Sequence, residues 1–88
     1  MTVYIAWTSA DLQQFDSLRD LVGPWREVSV AAAELAFVDS DEALSQVYHS
    51  LKWALPEGVA LVVAPVADLP KTKGLPPGTT SWLRARLR

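Results

Sequence analysis

The sequence predicts an α/β (α+β) domain with elements in the order β-α-β-β-α-β, followed by a basic tail. Three observations carry this. Apolar, β-branched runs stand at Val3–Trp7, which alternates, and at Val59–Val66, which is almost unbroken. Two stretches of helical period lie between them, each opened by capping-type residues and closed by Gly-Pro or Pro-Glu-Gly. From Leu69 onward the composition turns to proline, glycine and basic residues.

Val3, Ile5 and Trp7 alternate with Tyr4 and Ala6, the pattern of a strand. Thr8-Ser9-Ala10-Asp11 then reads as a helix start of the S/T-x-x-D/E type. Leu12, Phe15, Leu18, Leu21 and Val22 recur on one broad face and predict a helix over Ser9–Val22. Gly23-Pro24 stops it, because glycine permits a left-handed cap and proline cannot continue the ladder. Trp25 to Asp39 is extended in character but longer than the usual strand of about 5–6 residues. It is read as two strands with a reversal near Ala31–Glu34; one long bent strand is the alternative.

Asp39-Ser40-Asp41-Glu42 opens the second helix, with Asp39 or Ser40 as cap and acids at the positive end of the helix dipole. Leu44, Val47, Tyr48, Leu51, Ala54 and Leu55 follow at helical spacing, predicting a helix over Asp41–Leu55 with Trp53 off the main stripe. Val59–Val66 is expected to be a strand buried on both faces, with pairing interrupted at Pro65. Pro70, Pro76, Pro77, Gly74 and Gly78 make an extended loop, and Thr79-Thr80-Ser81 can cap a last short helix, Trp82–Arg88. With right-handed crossovers this order gives a four-stranded antiparallel sheet with both helices on one face, the ferredoxin-like plan. The predicted core is Val3, Ile5, Phe15, Leu18, Leu44, Val47, Leu51, Leu61 and Val63. Residues 1–68 form the domain, and residues 69–88 a proline-rich loop and short basic helix packed on it.

The 88 residues hold no cysteine, which excludes a disulfide framework, thiolate zinc and a cysteine nucleophile, and fits a cytoplasmic setting. No run reaches the roughly 18 apolar residues of a spanning helix, and the opening residues lack a basic leader segment, so neither a membrane nor a signal peptide is expected. The net charge of −2 conceals a strong asymmetry. Lys71, Lys73, Arg84, Arg86 and Arg88 stand in the last 20 residues without an acid, whereas the first 68 hold three basic residues and all ten acids, a net −7.

Several of these residues also carry a family resemblance. Val3-Tyr4-Ile5, Trp25 opening a second strand, Leu35-Ala36-Phe37-Val38-Asp39-Ser40-Asp41, the Val59–Val63 strand and the late Trp82-Leu83 follow a known order. Over about the whole chain that order resembles the small ferredoxin-like subunit of the CRISPR spacer-integration complex and its VapD-like relatives. In that family an Asp ending the first strand is associated with metal and nuclease chemistry. Here the region reads Tyr4-Ile5-Ala6-Trp7-Thr8, without the Asp. The resemblance therefore implies the fold and a homodimer, and not the nuclease activity.

Candidate chemistry is sparse. His49 is the only histidine and falls beside the apolar stripe, as a surface residue would; no G-x-S-x-G elbow accompanies it. Asp39, Asp41 and Glu42 are the densest carboxylates, and helix capping accounts for them without a metal. Lys71-Thr72-Lys73-Gly74 lacks the order of a phosphate loop. The expectation is a small non-catalytic dimeric interaction module with no catalytic residue, metal or cofactor. It binds a protein partner or nucleic-acid phosphates through Lys71, Lys73, Trp82, Arg84, Arg86 and Arg88. Tyr4, Val38 and Val62 are expected on a sheet face turned from the helices, which a second subunit or the chain's own tail must cover; the subunit is the expectation. The alternative is a metal-dependent nuclease or toxin of the resembled type, using Asp39 or Asp41.

Overall fold

The computed structural model describes residues 2–12 and 24–87. Most of the helix expected over Ser9–Val22, with its core residues Phe15 and Leu18, lies outside the described residues, as does Arg88. The elements are β1 (Thr2–Thr8), β2 (Glu27–Ala32), β3 (Leu35–Ser40), α1 (Leu44–Ala54), β4 (Leu61–Val66) and α2 (Thr79–Arg86). The strands form one sheet in the order β2-β3-β1-β4, and every neighbouring pair is antiparallel. The reversal between β2 and β3 is a turn at Ala33 and Glu34, relaxed by a register shift between Val30 and Ala32. That irregularity lets an alanine-rich segment turn without the Asn-Gly of a tight hairpin.

Both faces of the sheet are covered. Under α1 lie Tyr4, Ala6, Ala36 and Val38, packed with Val47, Leu51 and Leu55, and flanked by Leu61 and Val63. Two alanines on the central strands give the helix room to approach, and the Tyr4 hydroxyl donates to the Glu42 carbonyl just before it (2.7 Å). On the opposite face Val3, Ala31 and Phe37 are buried with Leu83 of α2, with Ile5, Leu35, Leu69, Leu75, Trp82 and Leu87 around them.

This corrects the expected face assignment. Tyr4 and Val38 do not form an open dimer face; they are 4% and 0% exposed beneath α1. Val3, Ile5 and Phe37 lie under the tail instead. Period-2 alternation separates the two faces of a strand but does not say which one meets the long helix when both are apolar. The register settles β4: Ala6 pairs with Val63 and Trp7 with Val62, so Val62 shares the tail's face with Trp7. Leu44, expected in the core, is 39% exposed at the first turn of α1.

The helix starts also differ from expectation. The N-cap of α1 is Ala43, without a side-chain cap, and Asp39 and Ser40 end β3. Ser40 acts one step earlier: its Oγ accepts the Glu42 N–H (3.0 Å) and donates to the Pro24 carbonyl. The N-cap of α2 is Gly78 at φ 93°, a left-handed conformation that glycine adopts without strain. Thr79, Thr80 and Ser81 therefore form the first turn rather than the cap.

Candidate functional site

The tail reaches the sheet by a loop from Ala67 to Gly78 and docks through one face of α2. Thr79, Trp82, Leu83 and Arg86 fall on one side at helical spacing, and Thr79 and Leu83 are 4% and 0% exposed. Thr80, Ser81, Arg84 and Ala85 occupy the other side and are exposed. Arg84 and Arg86, expected to act together, are thus separated, since they are two residues apart and point to different sides.

Arg86 turns inward and fixes the tail. Its Nε donates to Asp39 Oδ2 (2.8 Å), one terminal nitrogen donates to Glu27 Oε2 (2.8 Å), and the other donates to the Trp82 carbonyl (3.1 Å). The guanidinium also stacks on the Trp82 ring, 3.9 Å from its centroid. The Asp39 side chain is only 4% exposed and that of Arg86 17%, so this pair is largely shielded from water, whereas Glu27 is 55% exposed and adds little. Asp39 Oδ1 and the Trp82 indole N–H are buried and find no hydrogen-bond partner among the described residues. Trp82 and Arg86, expected to bind a partner, are therefore anchors of the tail.

Asp41 is held separately. Arg26 hydrogen-bonds its carboxylate, which holds the Asp41 carboxyl below its ordinary value and raises the arginine's own. Both carboxylates that a metal-dependent reaction would use thus carry a guanidinium, which repels a cation at the same oxygens. Among the described residues no three His, Cys, Asp or Glu side chains come together to hold a metal. His49 is exposed, with its ring edge-on to Tyr48 at 5.3 Å.

What remains outward is a basic surface. Lys71, Lys73 and Arg84 are all exposed. The loop and helix bearing them touch: the Thr72 and Thr80 hydroxyls lie 3.4 Å apart, and Thr80 and Arg84 are neighbours on the outer side of α2. No acid interrupts the sequence from Leu69 onward. A second feature had only a partial signal in the sequence. Trp53, off the apolar stripe, is 83% exposed and lines a cavity of about 620 Å³ with Tyr48, Lys52, Pro56, Val59 and Leu61. The cavity could not be read from the sequence, because it depends on how α1 overhangs β4. Compared with protein-family models, curated proteins and solved structures, the chain matches none.

Proposed function

We propose that the chain is a non-catalytic interaction module of ferredoxin-like plan that attaches to an acidic surface of a protein partner through the outer side of its tail. The observation that carries this is the division of the tail's charges. Arg86 is consumed inside the domain, while Lys71, Lys73 and Arg84 stay exposed on one loop-helix surface without a neighbouring acid in sequence. Internal neutralisation of the acidic body would have drawn these side chains inward as it did Arg86. Capping the helix dipole accounts for Arg84, in the last turn of α2, but not for the two lysines ahead of the helix.

The strand order β2-β3-β1-β4 supports the ferredoxin-like plan, because two crossovers, from β1 to β2 and from β3 to β4, each pass over one strand. A protein partner is preferred to duplex nucleic acid because the first 68 residues carry a net −7, which repels a long polyanion. A smaller acidic patch can meet the three cations alone.

Truncating the tail would not test this, since it also strips Leu83 from the sheet. Charge reversal does. Lys71→Glu, Lys73→Glu and Arg84→Glu combined should leave the melting temperature within a few degrees of wild type. Partner capture from native cells should fall at least tenfold and should resist nuclease treatment in the wild type. Capture undiminished by the three reversals would refute the reading.

A further inference from the structure

We infer that the outer edge of β4 is the interface of a homodimer, in which β4 pairs antiparallel with β4 of a second copy about a two-fold axis at Val62. The backbone supplies the first argument. Ser9 N–H donates to the Ala60 carbonyl (3.1 Å), in the same register as Trp7 opposite Val62 and Ile5 opposite Ala64. Ala60, Val62 and Ala64 therefore turn their hydrogen-bonding groups toward β1. On the other flank, Thr8 N–H donates to Glu34 (3.1 Å), as the alternation requires. The intervening residues, Leu61, Val63 and Pro65, must then direct their backbone away from the sheet. Proline is tolerated at such a place because the ladder with β1 asks no N–H of it. Among the described residues β4 is an edge strand, so the N–H and C=O groups of Leu61 and Val63 have no strand opposite them.

The two edges of the sheet are not equivalent. The β2 edge carries Glu27 and a register irregularity, both devices that discourage strand addition. The β4 strand, Leu-Val-Val-Ala-Pro-Val, has no charge, and Pro65 blunts only its far end. The three most exposed large apolar side chains among the described residues border this same edge: Trp53 (83%), Val62 (59%) and Trp7 (40%). Trp7 and Val62 are direct cross-strand partners on the tail's face, and Trp53 shares its cavity with Leu61 on the other face.

A second copy fits this edge better than a foreign strand because the edge is complementary to itself. With the axis at Val62, Leu61 N–H meets the Val63 carbonyl of the second copy, and Val63 N–H meets its Leu61 carbonyl. Pro65 falls outside these pairs. The two Val62 side chains then lie side by side, in a row running from Trp7 through both valines to the second Trp7. No charged residue of β4 meets its like. Trp7 and Trp53 together expose roughly 200–300 Å², scaled from about 150–250 Å² for a whole aromatic side chain. This is about a third of the ~800 Å² that each partner of a standard interface buries, and the strand edge and Val62 add to it. Such an interface belongs at the weak end of the size range, with dissociation at micromolar concentrations.

The test is light scattering on the full chain from about 1 to 100 μM, a range bracketing micromolar dissociation, with residue-resolved amide exchange alongside. The mass should rise from 9.6 kDa to twice that value. Leu61 and Val63 amides should gain protection with concentration, while Val62 and Ala64, bonded to β1, stay protected throughout. Val62→Lys sets like charges face to face, and Val63→Pro removes an outward N–H that the internal ladder does not use. Both should remain 9.6 kDa monomers with unchanged circular dichroism. A wild type that stays monomeric to the highest concentration overturns the proposal and leaves the edge for a foreign strand. A dimer that survives both substitutions overturns it as well. Neither result bears on the tail, whose charge-reversal assay reads partner capture instead.

Discussion

Replacing Arg86 by methionine keeps most of the apolar stem and removes the guanidinium fork. The consequence follows from what the fork touches. Its contact with Glu27 is more than half exposed on the acid's side and contributes at most about 1 kcal/mol. Its contact with Asp39 is different, because that carboxylate is 4% exposed and its other oxygen already lacks a partner among the described residues. Breaking a buried pair and stranding one charge costs about 3–5 kcal/mol. The cation over the Trp82 ring adds roughly 0.5–2 kcal/mol. A domain of this length has about 4–13 kcal/mol in total, so the substitution removes a large fraction of it. At about 4–8 °C per kcal/mol for a domain of this size, the melting temperature should fall by at least about 12 °C. Thermal unfolding followed by circular dichroism and by tryptophan fluorescence measures it. Asp39→Asn introduced alongside Arg86→Met should restore part of the loss, because the stranded charge is then gone. A fall of less than about 4 °C for Arg86→Met, or no rescue in the double variant, would refute the idea that a buried ion pair holds the tail.

Two further predictions concern the same architecture. Leu83→Ala, at a site with no exposure, should cost about 2–5 kcal/mol and increase binding of a hydrophobic dye as Val3 and Phe37 are uncovered, measured by urea unfolding and dye fluorescence. Asp41, whose carboxyl is held below its ordinary value by Arg26, should add stability that is fully present above the unfolded carboxylate value of 3.8 and is lost as pH falls through the lower native value. The stability difference between wild type and Asp41→Asn, followed by urea unfolding across acidic pH, should therefore shrink toward zero at the acid end.

The strands and the long helix were legible because each carries its own period. Val3 to Trp7, the paired segments around Ala33 and Glu34, Val47 to Leu51 and Leu61 to Val66 all appear where alternation or helical spacing places them. Which face of the sheet each helix covers was not legible. Both Tyr4-Ala6-Ala36-Val38 and Val3-Ile5-Phe37 are apolar, and the choice rests on tertiary packing, with small alanines beneath the long helix. The tail's basic character was plain in the sequence, but its division was not. Arg84 and Arg86 look equivalent there. They part only because Asp39, read as a helix cap, ends a central strand where Arg86 can reach it. A carboxylate next to Ser and Asp before a helical pattern carries the same local signature whether it caps or waits for a distant cation.

The attachment surface proposed for this domain is the outer side of the tail, and not its inner side. Amide-exchange mapping of the chain alone and in complex with a captured partner tests this most directly. New protection is expected at Lys71 to Lys73 and at Thr80, Ser81 and Arg84, with Leu83 and Leu87 unchanged because they already face or bond within the domain. A footprint that leaves those segments untouched and lies on the cavity beside Trp53 would contradict it.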